Sequence, residues 1–158
     1  MSTQYIPIVA VVDGDVSRYP FLDKLEHQRH IHVVAFDSGR AALRRSSDCQ
    51  ASFLLVSSEL PDMRGIDCIE MLVELYSDAR FYLIADHYDS DEERFCFRFA
   101  RVKYLCRPLD EQWLSRLLKS ITVRRSASTS GHPAHDPSHV LRMPQTNSLD
   151  ATSRSPPV

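Results

Sequence analysis

The strongest constraint on the fold is an alternation of short apolar runs with stretches of helical periodicity across the first 122 residues. Short runs rich in Val, Ile, Leu and Phe are typical of buried strands. Five strands are predicted on this basis: Ile6–Val12, Ile31–Phe36, Ser52–Val56, Phe81–Ala85 and Val102–Cys106. Strict alternation of strands with helices predicts an α/β fold, with a parallel sheet covered on both faces.

Five helices are predicted between and after these strands. Three of them have clear apolar periodicity, carried by Phe21, Leu22 and Leu25, by Ile66, Ile69, Leu72 and Leu75, and by Leu114, Leu117, Leu118 and Ile121. Asp110 is a candidate N-cap for the last of these helices. Two weaker helices are predicted over Ser38–Ser46 and Asp91–Ala100.

The composition changes at about residue 123, and residues 1–122 are predicted to form one domain. Residues 123–158 hold five of the nine prolines and many serines, and few periodic apolar residues. A segment of this composition cannot bury enough surface to offset its ordering entropy, so it is predicted to be a disordered tail. Its histidines, His132, His135 and His139, are interpreted as solvated side chains rather than metal ligands.

Composition argues against several classes of function. A net charge of −2 gives no support to nucleic-acid binding through phosphate neutralisation. The opening apolar run is too short for a signal-peptide core or a spanning helix, which predicts a cytoplasmic protein without membrane contact. The cysteines have no C-x-x-C spacing, and Cys49, Cys68, Cys96 and Cys106 are predicted to be reduced core residues rather than zinc ligands.

Polar residues follow four of the predicted strands. Asp13 and Asp15 follow the first strand, Ser57 and Ser58 follow the third, Asp86 follows the fourth and Arg107 follows the fifth. In open parallel sheets, ligands bind beyond the carboxyl ends of the strands. These side chains are therefore predicted to gather at one edge of the sheet.

Three motifs resemble the receiver domains of two-component response regulators. They are VVDGD at Val11–Asp15, LPDMRG at Leu60–Gly65 and YLCRPLD at Tyr104–Asp110. The resemblance covers about residues 5–121. It implies a (βα)5, flavodoxin-like fold, with a doubly wound parallel five-stranded sheet in the strand order 2-1-3-4-5.

The same resemblance implies where the site of the family would lie. Ser57 stands at the position of the phosphoacceptor aspartate, and the acidic pair corresponds to Asp13 and Gly14, with Asp15 directly after it. Ala85 stands at the Thr/Ser position and Arg107 at the Lys position. The chain is therefore expected to be a degenerate receiver, without the phosphoacceptor aspartate.

These replacements change the expected chemistry. A serine hydroxyl needs a base for activation and would give a stable ester, and no such base is evident beside Ser57. A site reduced to Asp13 and Asp15 is too poor in carboxylates to hold Mg²⁺ well, so no metal or cofactor is expected. Arg107 is expected to pair with Asp13 or Asp86 and to fill the pocket, because its planar fork is not equivalent to a lysine.

Tyr104 and the fourth helix are the candidate contact elements. Tyr104 corresponds to the aromatic residue that moves inward on activation in the family, and its alternative role is a strand aromatic packed on the last helix. In the fourth helix, Phe95 and Phe99 suit the core. Arg94, Phe97 and Arg98 are predicted to form an interface, because exposed aromatics beside arginines are typical of contact surfaces.

The leading hypothesis is a stand-alone pseudo-receiver that acts by protein–protein interaction in phosphorelay signalling and is not an enzyme. Its expected partners are a histidine kinase, another response regulator or a second copy, bound through the fourth helix, fifth strand and fifth helix. From the composition, no nucleic-acid partner and no membrane partner are expected.

Two other functions are compatible with the residues. The run VVDGDVS also resembles the start of haloacid-dehalogenase-like phosphatases, with Asp13 as nucleophile and Asp15 as general acid. Ser57 and Arg107 would then bind phosphate, while Asp86 and Asp89 would hold Mg²⁺. The second alternative is regulation by serine phosphorylation, at Ser57 or at Ser126 or Ser128 in the tail.

Overall fold

A computed structural model of the protein describes residues 5–128, and for residues 121–128 it describes the backbone alone. Eleven elements follow one another along this part of the chain. The strands are β1 (Ile8–Val12), β2 (His32–Phe36), β3 (Phe53–Ser57), β4 (Arg80–Ala85) and β5 (Val102–Cys106). The helices are α1 (Pro20–His27), α2 (Gly39–Arg44), α3 (Gly65–Leu75), α4 (Ser90–Phe97) and α5 (Glu111–Ser128), and a short 3-10 turn at Val16–Arg18 precedes α1.

The five strands form one parallel sheet in the order β2-β1-β3-β4-β5, as the sequence predicts. Each strand pairs in register, so that Val12 lies opposite Val56, Ser57 opposite Ile84, and Ala85 opposite Cys106. The carboxyl ends of β1, β3, β4 and β5 consequently lie side by side. The residues that directly follow or end these strands form the edge that carries the candidate site.

The central strands β1, β3 and β4 are buried on both faces, because helices cover each face of the sheet. One core contains Leu54, Val56 and Leu83 of the sheet with Ile69 and Leu72 of α3. The other core contains side chains of the opposite face of the sheet, together with α1 and α5. All five residues of β3 are buried, which explains its continuous run of apolar residues.

Local signals explain where most helices begin. The Ser38 side chain accepts a hydrogen bond from Ala41 N–H at the start of α2, and Asp89 accepts from Asp91 and Glu92 at the start of α4. The Asp110 carboxylate accepts from Trp113 N–H at 2.8 Å, so Asp110 is the side-chain cap predicted for α5. Each cap satisfies N–H groups that have no partner within the helix.

The limits of several strands and helices differ from the sequence predictions by one to three residues. The first strand begins at Ile8 rather than at Ile6, since Pro7 cannot donate a ladder hydrogen bond. Helix α5 continues past the predicted domain boundary at residue 122, as far as Ser128. The remainder of the predicted tail, including His132, His135 and His139, lies outside the described residues.

Leu75 is not part of the buried face of α3, although it continues the three-residue spacing of Ile66, Ile69 and Leu72. Its side chain is 55% exposed, whereas Cys68 and Val73 are buried in its place. A spacing of three falls short of the 3.6 residues in a helical turn, so the predicted stripe rotates away from the core over three steps. The core-facing stripe of this helix follows Cys68, Ile69, Leu72 and Val73 instead.

Candidate functional site

The candidate site is centred on Asp13, which directly follows β1. Asp13 is 3% exposed, so its carboxylate lies almost entirely out of solvent. Oδ2 accepts a hydrogen bond from the Tyr19 hydroxyl at 2.8 Å, and Oδ1 accepts one from Asp15 N–H at 3.0 Å. A buried carboxylate requires such partners, because an unpaired charge is strongly unfavourable away from water. Both oxygens of Asp13 are therefore engaged within the protein.

Arg107 enters the same pocket from the end of β5. Its Nη2 atom lies 3.8 Å from Asp13 Oδ2, and its Nε atom lies 3.2 Å from Asp86 Oδ1. Neither nitrogen makes a well-directed hydrogen bond to any described group, so these contacts are ion pairs without hydrogen-bond geometry. The guanidinium also lies over the Tyr19 ring, with 4.9 Å between Cζ and the ring centroid. Arg107 thus contacts Asp13, Asp86 and Tyr19.

A second arginine, Arg18, closes the outer side of the pocket. Its Nη2 donates to Asp86 Oδ1, so the Asp86 carboxylate is shared between Arg18 and Arg107. Two cations therefore face two carboxylates, those of Asp13 and Asp86. With opposite charges balanced at short range, the pocket offers no net charge to attract a free anion or cation.

Tyr19 is a pocket residue that the sequence reasoning did not identify. It is 2% exposed, and burial together with the negative charge of Asp13 raises the pKa of its phenol, which keeps the hydroxyl protonated as a donor. The available signal was its position directly before Pro20, at the start of the helix that follows β1. In a parallel sheet this point of the chain lies at the carboxyl edge.

Asp15 does not form a carboxylate pair with Asp13. Its side chain is on the surface and accepts hydrogen bonds from the Ser17 backbone and hydroxyl, which lower the pKa of Asp15. It acts as the cap of the 3-10 turn. The contact of Asp15 with Asp13 is made by its backbone N–H alone.

These residues fit a bound Mg²⁺ poorly. The ion prefers an octahedral shell with one or two carboxylates, waters and phosphate oxygens. Here one buried carboxylate is already hydrogen-bonded on both oxygens, and a cation from Arg107 lies beside it. In the range 5–120, no group of three His, Cys, Asp or Glu side chains is arranged to hold a metal ion.

Ser57 ends β3 and is 6% exposed. Its hydroxyl donates to the Glu59 carbonyl at 3.0 Å, across the turn that follows the strand. The next turn packs closely on it: a Cβ atom at Gly65 would lie 2.2 Å from the Ser57 carbonyl oxygen. The glycine of the LPDMRG motif is therefore required for a close backbone approach.

The other positions predicted from the strand ends also lie at this edge. Ala85 is 1% exposed, and its carbonyl accepts from Arg107 N–H at 2.9 Å, so it contributes backbone contacts and no hydroxyl. Gly14 lies close to the LPDMRG turn, because a Cβ atom there would be 3.3 Å from Pro61 Cγ. Asp13, Ser57, Ala85 and Arg107 are thus gathered at one edge, whereas the Asp15 carboxylate is directed elsewhere.

Tyr104 contacts the loop between β4 and α4 through hydrogen bonds and ring packing. Its hydroxyl accepts from Asp89 N–H at 2.9 Å and lies 3.3 Å from the His87 carbonyl, to which it donates. Its ring packs edge-on against Tyr88, with 6.0 Å between centroids. The Tyr104 side chain is half-buried, and these contacts are all with the loop before α4. They do not involve the last helix, on which its alternative role would place it.

The predicted interface residues lie on the solvent side of α4. Phe97 is 81% exposed, whereas Phe95 and Phe99 pack against the core as predicted, with 5.3 Å between their ring centroids. Arg98 lies over both of these rings, and Arg94 pairs with Asp91 at 3.2 Å. A cavity of about 300 Å³ lies beside Phe97, between α4 and β5.

Comparison of the sequence with known proteins finds similarity to part of one histidine kinase. No family model matches the chain. The chain is 26% identical over 112 residues to the signal transduction histidine-protein kinase BarA of Escherichia coli K12, an alignment that covers 70% of this chain and 12% of BarA. The chain therefore spans a small part of that relative.

Solved structures resemble the chain over most of its length. A CheY-like response regulator receiver domain from Methanospirillum hungatei JF-1 has a TM-score of 0.67 at 15% identity, covering 78% of this chain and 99% of that one. The signal receiver domain of a putative LuxO repressor protein from Vibrio parahaemolyticus has a TM-score of 0.64 at 16% identity, covering 81% and 100%. The strand order, the register and these likenesses agree: the chain has the CheY-like, flavodoxin-like fold of response-regulator receiver domains.

Proposed function

We propose that this protein is a pseudo-receiver, a module of two-component signalling that acts by binding other proteins and does not use an aspartyl phosphate. The observation that carries this proposal is the pocket around Asp13. Its carboxylate is hydrogen-bonded by Tyr19 and Asp15 N–H and ion-paired with Arg107. By the resemblance of the motifs, we assign Ser57 to the position of the acceptor aspartate. The receiver fold and the likeness to part of BarA support a role in signalling.

The chemistry of aspartyl phosphorylation needs a free carboxylate and a bound divalent cation to neutralise the phosphoryl oxygens. Asp13 has both oxygens engaged, and Asp62, the carboxylate in the LPDMRG turn, accepts two backbone hydrogen bonds from Gly39 and Arg40. Neither group is free to act as a nucleophile without loss of these contacts. We therefore expect Mg²⁺ binding to be weak or lost and the module to have no catalytic activity of its own.

The same contacts argue against a phosphatase of the haloacid-dehalogenase type. In that hypothesis Asp13 would attack the phosphoryl group and Asp15 would act as general acid. The Asp15 carboxylate instead caps a turn, Asp86 pairs with two arginines, and Asp89 caps α4. Regulation by serine phosphorylation at Ser57 would need a buried hydroxyl that already donates to Glu59.

A phosphorylation assay tests the proposal. Purified full-length protein is incubated with acetyl phosphate and Mg²⁺, beside a receiver domain with an intact acceptor aspartate, and intact mass is measured before and after hydroxylamine. The expected result is no added phosphoryl mass on this protein and a hydroxylamine-sensitive addition on the control. A hydroxylamine-sensitive addition on this protein would refute the proposal, and the variants Asp13→Asn and Asp62→Asn would then locate it.

The proposed contact surface is the solvent face around α4 and β5, with Phe97 as its apolar anchor and Arg94 and Arg98 beside it. An aromatic side chain that is 81% exposed contributes little to the fold, and exposed aromatics and arginines are enriched among residues that dominate binding. The proposed partners are a histidine kinase, another response regulator or a second copy of the chain.

Paired variants test this surface in pull-downs from lysate of the native host. Phe97→Asp is expected to lose the captured partner, whereas Leu75→Asp, which places the same charge at a 55% exposed position on α3, is expected to retain it. Equal capture by both variants, or equal loss, would exclude the Phe97 surface as the binding site.

A further inference from the structure

A separate crevice lies between α1 and α5, on the side of the molecule formed by these two helices. Its volume is about 560 Å³, and its walls come from α1 and α5 alone. Residues three or four apart lie on the same face of a helix, and the lining residues of both helices have this spacing. One face of each helix therefore lines the crevice. Examples are Pro20, Lys24 and Gln28 at α1, and Gln112, Arg116 and Lys119 on α5. The floor is formed by Phe21 and Leu25, which are 7% and 2% exposed.

The rim of the crevice is basic. Lys24, Arg116 and Lys119 line it, against the single carboxylate of Glu111. Among residues 5–120 none of these three cations lies within ion-pair distance of a carboxylate, whereas Arg18, Arg64, Arg94 and Arg107 each have one. Arg116 donates only to the Gln112 carbonyl on its own helix.

The positive charge of this lining is opposite in sign to the net charge of the domain. The chain has 21 acidic and 19 basic residues, of which two aspartates and four arginines follow residue 122, so the first 122 residues hold 19 acidic and 15 basic residues. Unpaired cations on a mildly acidic domain form a local patch of positive potential, which attracts an acidic partner and rejects basic ones.

The shape of the crevice indicates the kind of occupant. Binding sites for small molecules enclose most of the ligand surface between apolar walls. Here the floor is already buried, and the exposed lining combines apolar surface with the charged groups of the rim, so an occupant would need apolar side chains as well as negative charges. The segment after residue 122, with four arginines and two aspartates, has the wrong charge to occupy it.

We propose that the crevice between α1 and α5 is a docking surface for an acidic segment of a partner protein, recognised by Lys24, Arg116 and Lys119. This surface is distinct from the one around Phe97, and it does not depend on the absence of aspartyl phosphorylation. A module with both surfaces would hold two proteins at once. A negative result for one surface in its binding assay therefore does not contradict the proposal for the other surface.

A titration followed by amide NMR tests the proposal on the full chain. The probe is a synthetic peptide in which glutamates alternate with leucines, and its control has glutamine in place of each glutamate. The glutamate peptide is expected to give saturable shifts confined to residues 20–28 and 111–119, and raised salt is expected to weaken them. The glutamine peptide is expected to give no saturable shifts.

Charge variants assign the interaction to the rim. Lys24→Glu combined with Lys119→Glu is expected to raise the Kd of the glutamate peptide by about tenfold, the size expected when a few exposed ion pairs are lost. Lys103→Glu, an exposed lysine on β5, is expected to leave the Kd unchanged. If the double reversal fails to fold, Lys24→Gln with Lys119→Gln is expected to give a smaller rise in the same direction.

Four results of the peptide experiments would overturn the proposal. These are the absence of saturable shifts, equal binding of the two peptides, equal weakening by Lys103→Glu, and shifts that lie outside α1 and α5. Self-association that the double reversal abolishes would assign the crevice to a second copy of the chain. Stronger binding to anionic lipid vesicles than to the peptide would assign it to a membrane surface, and both of these assignments contradict the proposal.

Discussion

At the scale of single residues, the pocket at the sheet edge is a closed set of interactions around one buried carboxylate. The Asp13 carboxylate accepts hydrogen bonds from Tyr19 and from Asp15 N–H, and the positive charge of Arg107 lies nearby. Hydrogen bonds to a buried charge are among the strongest contributions that single contacts make to stability. We therefore expect this pocket to stabilise the fold.

Removal of the Tyr19 hydroxyl tests this stabilising role. Tyr19→Phe keeps the ring under Arg107 but leaves Asp13 Oδ2 without its donor, so the free energy of unfolding is expected to fall by about 2 kcal/mol. Urea unfolding followed by circular dichroism measures the change.

The matched control for this variant is Tyr88→Phe. Tyr88 is 61% exposed, and its hydroxyl donates a hydrogen bond to the carboxylate of Glu93 at the surface. Its removal is expected to change stability by less than about 0.5 kcal/mol. Equal changes in the free energy of unfolding for the two substitutions would show that the Tyr19–Asp13 hydrogen bond contributes no more to stability than an exposed one.

At the scale of elements, several helix ends are completed by side chains that are distant in sequence. Helix α2 has its own cap, Ser38, and also receives the Asp62 carboxylate from the turn after β3. The end of α3 is covered by Arg101, which precedes β5. Such contacts join consecutive βα units, because a helix end has unpaired N–H or carbonyl groups that any nearby partner can satisfy.

The Asp62 contact predicts a specific loss of stability in acid. Hydrogen bonds from Arg40 and Gly39 N–H lower the pKa of Asp62 below its usual value near 3.8. A carboxylate with a depressed pKa stabilises the fold above its ordinary pKa, and this contribution is lost as the pH falls through the folded-state value. Asp62→Asn is therefore expected to be less stable at pH 7 and to lose less further stability between about pH 5 and pH 2.

Ser38→Ala is the control for this pH dependence. It removes a cap of the same helix, at an expected loss of about 1 kcal/mol, but the hydroxyl does not titrate. The difference in free energy of unfolding between Ser38→Ala and the unaltered protein is therefore expected to stay constant as the pH is lowered from 7 into the acid range. Denaturant midpoints measured across this range compare the three proteins, and parallel curves for Asp62→Asn would contradict the assignment.

Arg101 provides a second test at this scale. Its Nη1 donates to the Tyr76 and Ala79 carbonyls at 2.6 and 2.8 Å, and its Nη2 donates to the Val73 carbonyl at 3.1 Å. Lysine keeps the charge but cannot reproduce this planar set of donors. Arg101→Lys is expected to lower the free energy of unfolding by about 1–3 kcal/mol.

Arg94→Lys is the corresponding control for Arg101→Lys. Arg94 makes an exposed pair with Asp91 within α4, and pairs of this kind contribute little to stability. Urea midpoints are expected to shift for Arg101→Lys and to stay within error for Arg94→Lys. A stable Arg101→Lys protein would mean that water replaces the lost donors.

At the scale of the whole molecule, the sheet separates two apolar cores, and three of the four cysteines are buried in the core on the α3 side. Burial raises the pKa of the Cys68 thiol to about 12 and that of Cys96 to about 11, and it also raises the pKa of Cys49. Cys106, at the end of β5, is partly exposed. The described fold thus predicts unequal reactivity among chemically identical side chains.

Thiol labelling measures this difference. With iodoacetamide at neutral pH, Cys106 is expected to react first, while the other three thiols react only as fast as the protein opens. Peptide mapping after timed quenching identifies the order, and unfolding in guanidinium is expected to make all four thiols react alike. Early labelling of Cys68 in the folded protein would contradict the buried position of the α3 face.

No described helix of the protein is long and apolar enough to cross a bilayer. Several apolar runs of this chain are instead strands of the sheet, and β3 is buried along its whole length. The prediction of a cytoplasmic protein stays a prediction.

The sequence alone determined the number and order of the elements, because apolar periodicity and caps such as Asp110 act over a few neighbouring residues. It also determined which positions reach the sheet edge, since Asp13, Ser57, Ala85 and Arg107 follow or end strands whose parallel pairing leaves few topologies. The spacing of three that ends at Leu75 predicts the helix but does not define its buried face, because this spacing approximates a helical turn only over a short distance.

Tertiary structure alone decided the partners of these residues. The Tyr19 hydroxyl on Asp13, the sharing of Asp86 between Arg18 and Arg107, and the turn of the Asp15 carboxylate toward Ser17 depend on where side chains from separate segments meet. So do the unpaired cations between α1 and α5. Distances between segments are set by the packing of the whole sheet and its helices, and no local pattern of residues encodes them.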